Sequence, residues 1–162
     1  MIRQATLLDF LYVAHNQRDI GKVMLEADGI DRDIPPDEFA ILRMKRSTVH
    51  YTLLNETTGR PVCVFGAIIH GGVAHAWLVA TDELERLGKS MTWELVSFAR
   101  RLVRTTLDVK AAHRIEADII CGLPITEACR RFARKIGLDM EEFVKHRAGA
   151  KGEDKINLAA WR

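Results

Sequence analysis

Two groups of cations stand out in the chain. Arg100, Arg101 and Arg104 fall on one predicted helix, and Arg130, Arg131, Arg134 and Lys135 on another. Side by side, the two helices would offer a phosphate-binding face; each group also suits an ordinary solvated helix surface. No base-reading motif accompanies these cations, so nucleic acid ranks last among the partner classes. Cys63, Cys121 and Cys129 are odd in number, sit in apolar stretches and form no C-x-x-C pair, which argues for buried thiols over a disulfide framework or a zinc site. His70 and His75 lie on predicted strands, where a lone histidine is commonly a packed or edge residue. Trp77, Trp93 and Trp161 suit either interface anchors or core, and burial is the expectation for Trp77.

The elements that must position these groups belong to one domain. The 162 residues, 48% hydrophobic and 28% charged, suffice for one continuous core. A net charge of +2 means that attraction to a polyanion has to come from local clustering. The N-terminal residues lack a secretory pattern, and no apolar run reaches the roughly 20 residues of a bilayer span, so a reducing cytoplasm is expected.

A short opening strand precedes Thr6-Leu7-Leu8-Asp9, which resembles a capping box with Asp in place of Glu; Leu7, Leu11 and Ala14 continue a helix to about Arg18. The acidic, Gly- and Pro-containing stretch from Gly21 to Pro36 predicts a mobile connection to a second helix near Asp37 to Met44. Alternation at Val49, Tyr51 and Leu53, a Thr57-Thr58-Gly59 turn, then Val62, Val64 and Gly66 predict a hairpin. Gly71-Gly72 turns the chain into a third antiparallel strand, Val73 to Thr81. Met91, Leu95, Phe98 and Leu102 define the apolar face of the longest helix, Ser90 to Leu107. Ile115 to Cys121 suits a buried strand, Ile125 to Ile136 a helix stopped by Gly137, and Met140 to Lys145 and Lys155 to Trp161 two last strands around a Gly149 to Asp154 loop. The order implies an α+β layer architecture.

That order resembles the N-acetyltransferase (GNAT) superfamily along nearly the whole chain. Ile2-Arg3-Gln4-Ala5-Thr6 resembles its opening strand and first cap, Gly59-Arg60-Pro61-Val62 the turn into its third strand, and Ala128 to Leu138 its last helix. The resemblance implies a mixed, mostly antiparallel twisted sheet of about seven strands flanked by about four helices. It also implies acetyl-CoA as cofactor, its pyrophosphate held by a Q/R-x-x-G-x-G/A loop and the helix start behind it, where unpaired N–H groups and the macrodipole favour phosphate. Here the loop reads Glu85-Arg86-Leu87-Gly88-Lys89-Ser90: Gly88 matches the central glycine, while Glu85 and Ser90 depart from the pattern. Glu85 disfavours a pyrophosphate, and Arg86 and Lys89 offset it. Val79, Arg86, Gly88, Lys89 and Ser90 are the cofactor-binding residues so implied. The family's catalytic Tyr is replaced by Ala133, and its Asn after the fifth strand by Cys121-Gly122-Leu123-Pro124. His75 is the candidate base, with Asp82, Glu83 and His70 behind it.

A narrower resemblance, over residues 60–140, rests on Gly71 to Thr81, Leu84-Glu85-Arg86 and the basic helix that follows. It is similar to GNAT-like proteins of tailed-phage structural clusters, nearest to the internal virion protein A group of short-tailed phages. This implies a virion-associated assembly protein on a degenerate GNAT fold, weakly active or inactive, partnered by other phage virion proteins, with a homo-oligomer open to it and no membrane. It would be made in the host bacterial cytoplasm and carried in the virion. A working acetyl-CoA-dependent N-acetyltransferase is the alternative.

Overall fold

The computed structural model describes residues 1–17, 33–120, 126–144 and 155–161. They form seven strands, β1 (Ile2–Gln4), β2 (Val49–Leu54), β3 (Pro61–His70), β4 (Val73–Ala80), β5 (Arg114–Ile120), β6 (Met140–Val144) and β7 (Lys155–Trp161). Four α-helices accompany them: α1 (Leu7–His15), α2 (Pro36–Arg46), α3 (Lys89–Asp108) and α4 (Thr126–Ile136). The strands hydrogen-bond in the order β1-β2-β3-β4-β5-β7-β6. Among the described pairings only β4 with β5 is parallel. This is the mixed, mostly antiparallel sheet with four helices that the sequence predicts.

The chain divides into two compact units, Met1–Ile68 with Trp77–Leu95, and Ile69–Ala76 with Val96–Arg162. In the first, Phe10, Val13 and Ala14 of α1 and Phe39 and Ala40 of α2 are buried with Val64 and Val79 of the sheet. The start of α1 is fixed by Asp9, whose carboxylate accepts from the Thr6 N–H at 2.7 Å and the Thr6 hydroxyl at 2.8 Å. Arg3 reaches both Asp9 oxygens, at 2.7 and 2.8 Å. Burial alone would raise the Asp9 pKa, but these hydrogen bonds outweigh it and hold the carboxyl below its ordinary range.

Gly66 on β3 has a different task. It pairs with His50 of β2, and a Cβ there would collide with the Val49 carbonyl and stand 3.0 Å from Cζ2 of Trp77. The missing side chain lets the indole lie across β3, where Phe10 meets it at 5.9 Å and the His50 ring at 5.4 Å between centroids. Arg43 of α2, itself buried, covers the indole with its guanidinium 5.1 Å from the ring centroid.

In the second unit, β7 lies between β5 and β6, antiparallel to both, with Ile115 opposite Ala160 and Ala117 opposite Leu158. Helix α4 packs on β5 and β7 and ends where the Leu138 N–H returns to the Ala133 carbonyl at 2.9 Å. The β3–β4 turn falls on Gly71 and Gly72, both at positive φ, as a two-residue hairpin that follows the sheet twist requires.

Three expectations shift. Helix α1 stops at His15 rather than Arg18, its end capped by Asn16, whose Nδ2 donates to the Tyr12 carbonyl. The fully buried stripe of α3 is Leu95, Val96, Ala99 and Val103, displaced by about one residue from the predicted face, and Phe98 and Leu102 lie at its margin. Cys63 is buried, with its thiol pushed up to about 12 by desolvation, whereas Cys129 is only half-buried. Cys121, most of the predicted mobile connection (residues 18–32) and the Gly149 to Asp154 loop lie outside the described residues.

Candidate anion site at the start of α3

The first unit carries the chain from β4 into α3 by a tightly bonded route. Thr81, buried just past β4, donates its N–H to the Val62 carbonyl at 2.9 Å and its hydroxyl to the same oxygen at 3.1 Å. Its Oγ1 then accepts from the Glu83 N–H at 3.3 Å, opening a 3-10 turn over Asp82–Arg86. The Glu83 carboxylate is held by Asn55 Nδ2 at 2.9 Å, and Asn55 in turn caps the β2–β3 turn through the N–H groups of Thr57 and Thr58.

Beyond this anchor, Gly88 opens α3. Its carbonyl accepts from both the N–H and the hydroxyl of Thr92, at 3.0 and 3.1 Å. The N–H groups of Lys89, Ser90 and Met91 therefore precede the first helical hydrogen bond, where a helix directs unpaired donors and its positive dipole end outward. The first turn contains no acid. Gly88, Lys89, Ser90 and Arg86 are all exposed, and nothing lies within 4 Å of where a Gly88 Cβ would be. A single unit thus holds Arg86, Gly88, Lys89 and Ser90 together on open surface. Val79 is in the same unit, but its side chain is buried among the core, which leaves it only main-chain groups to offer a ligand.

The candidate acid–base groups are exposed or engaged with other side chains. His75 belongs to the second unit. It is opposite Glu116 in the parallel β4–β5 ladder, with Nδ1 2.8 Å from Glu116 Oε1, while Arg114 Nε approaches Glu116 Oε2 at 2.8 Å. Glu83 is tied to Asn55, Asp82 is exposed, and His70 is exposed at the end of β3. Ala133 is buried in α4 and brings no hydroxyl. The His75–Glu116 pairing was missed by sequence reasoning. Its sole trace is Arg114 and Glu116 alternating around apolar Ile115, and the register that sets His75 beside them cannot be read locally.

The two arginine groups do meet in part: Arg100, Arg104 and Arg134 line one open cavity of the second unit. Trp77, expected to be buried, is partly buried and packed against the core, whereas Trp93 is 70% exposed. Among the described residues no cluster of His, Cys, Asp or Glu is arranged for a metal ion, and no helix is long and apolar enough to cross a membrane.

The fold so described is that of the GNAT acetyltransferases. A GNAT-family acetyltransferase from Bacillus anthracis superposes with a TM-score of 0.69 at 14% identity, covering 99% of this chain and 93% of that one. Spermidine N-acetyltransferase from Vibrio cholerae, solved with CoA and spermine, gives 0.67 at 12% identity over 99% and 94%. YncA from Salmonella typhimurium, solved with its cofactor acetyl-CoA, gives 0.65 at 14% identity over 99% and 92%. No family model matches the sequence, and no curated protein does.

Proposed function

We propose that the chain is an acetyl-CoA-dependent N-acetyltransferase whose cofactor is held at the start of α3. The observation that carries this reading is the exposed Gly88-Lys89-Ser90 turn, with unpaired first-turn N–H groups, no acid in that turn and open space above Gly88. The fold likeness to GNAT enzymes supports it, as does the presence of acetyl-CoA or CoA in two of those structures. In this reading the N–H groups of Lys89, Ser90 and Met91 hold the diphosphate, Arg86 and Lys89 balance its charge against Glu85, and the main chain of β4 near Val79 guides the remainder. When bound, acetyl-CoA supplies the activated acetyl group.

The position that the GNAT resemblance gives to the catalytic acid holds Ala133 here. Ala133 is apolar and buried, and His75 is committed to Glu116. Rate enhancement then comes from holding an amine against the thioester, with water carrying the protons; proximity alone is worth many powers of ten. Calorimetric titration with acetyl-CoA tests the site. Saturable binding in the wild type, abolished by Gly88→Glu, is expected, and equal binding by the variant rejects the loop as the site.

A virion scaffold on the same fold is the second reading. It rests on the sequence resemblance over residues 60–140, and phage structural proteins would be its partners. It requires that Gly88→Glu leave assembly intact, and failure of assembly with that change alone counts against it.

A further inference from the structure

We infer a second ligand site, independent of the α3 start: the open cavity between α3 and the end of α4, for a small organic phosphate or diphosphate. Its volume is about 390 Å³, and Arg100, Arg104 and Arg134 line it together with Asp139 and aliphatic Val103, Leu107, Ile136 and Ala160. All of these residues belong to the second unit.

Arg134 has a structural reason for its place, since a cation in the last turn of a helix complements the dipole. Arg100 and Arg104 have none of that kind. They stand one turn apart in the interior of α3, where like charges at that spacing repel each other and disfavour the helix. An anion between them removes the repulsion, and planar guanidinium forks match phosphate oxygens in pairs.

The ligand's size and type follow from the lining. Arg100 and Arg104, one turn apart on the cavity wall, favour an anion with several oxygens to offer, and a volume of this size suits a small molecule. The apolar lining is aliphatic, with no aromatic platform on which nucleic-acid bases would stack. Asp139 on the same wall fits a hydroxyl or amine of the ligand. A small phosphate is therefore favoured over a nucleic-acid strand.

The test uses inorganic pyrophosphate as probe, with calorimetry on the whole protein and three variants. Arg100→Ala/Arg104→Ala is expected to weaken binding at least tenfold, and Arg100→Lys/Arg104→Lys, which keeps charge but loses the fork, several-fold. Both arginines are exposed, so the melting temperature of the double variants should hold or rise as repulsion is relieved. Gly88→Glu, which removes the diphosphate site proposed at the α3 start, should lower the stoichiometry yet leave one saturable pyrophosphate site that the arginine substitutions abolish; loss of all pyrophosphate binding in Gly88→Glu, with the arginine variants unaffected, would assign the binding to the α3 start and overturn the inference. Pyrophosphate affinity unchanged in both arginine variants overturns the inference. So does a dodecamer of thymidylate that binds wild type more tightly than pyrophosphate and loses affinity in the same variants, because it would make the cavity part of a nucleic-acid surface.

Discussion

Nδ1 of His75 lies 2.8 Å from Oε1 of Glu116, across the parallel β4–β5 ladder. The imidazole is 55% exposed, so the pair is a surface contact worth no more than about 1 kcal/mol. His75→Ala should therefore fold normally, with urea denaturation shifted only slightly. It should also leave acetyl transfer within a few-fold of wild type; a loss of about a hundredfold or more, the scale of a missing general base, would restore His75 to a catalytic role.

Gly66→Ala should be costly although alanine suits a strand. The new methyl would meet the Val49 carbonyl and crowd the Trp77 ring, and both are fixed, the first by pairing with β3 and the second by Phe10 and Arg43. Overpacking of this kind costs roughly 1–3 kcal/mol, to be read as a lower urea midpoint with unchanged slope. A neutral result would mean that the indole does not rest on Gly66.

Asp9→Asn should destabilise by about 1–3 kcal/mol, because it leaves Arg3 and the Thr6 N–H with a weaker partner at a buried position. The folded pKa of Asp9 is lowered, so its contribution is present above the ordinary carboxylate value of 3.8 and is lost as pH falls through the folded value. The gap between wild type and variant should close in acid; a gap independent of pH would contradict the charged pairing.

Cys63 should resist thiol reagents at neutral pH until the protein unfolds, since its thiol is fully enclosed and burial pushes it up to about 12. As this is a raised value, the stability it contributes is complete below the unfolded pKa near 9 and is lost as pH rises towards 12. Mass spectrometry after brief labelling checks the residue directly, and rapid modification of Cys63 in the native protein would refute its burial.

Much of the fold was legible because its signals are local. The Thr6–Asp9 cap, the Gly71-Gly72 turn, the strand alternation of β2 and the four-three spacing of α3 each depend on neighbours in sequence. The face of α3 was read about one residue off, since Phe98 and Leu102 are large and apolar yet Ala99 and Val103 point most directly inward. Arg86, Gly88, Lys89 and Ser90 were legible as a group because they are contiguous. The His75–Glu116 pair was not, and for Arg100, Arg104 and Arg134 the sequence offers a shared face but not the adjacency of the two helices. Both depend on the crossover that sets β5 beside β4 and α4 beside α3, a long-range register that no short stretch encodes.

The most direct test of the account is thermal unfolding with and without millimolar acetyl-CoA, in wild type and in Gly88→Ala. Ligand at a hundredfold above its dissociation constant stabilises by about 2.7 kcal/mol, which raises the melting temperature of a domain this size by several degrees. Because open space lies above Gly88, the added methyl should leave the unliganded melting temperature unchanged while reducing the shift. A clear rise in wild type that shrinks in Gly88→Ala is the predicted result. No rise in wild type would contradict a cofactor site at the start of α3 and leave the fold without the activity proposed for it.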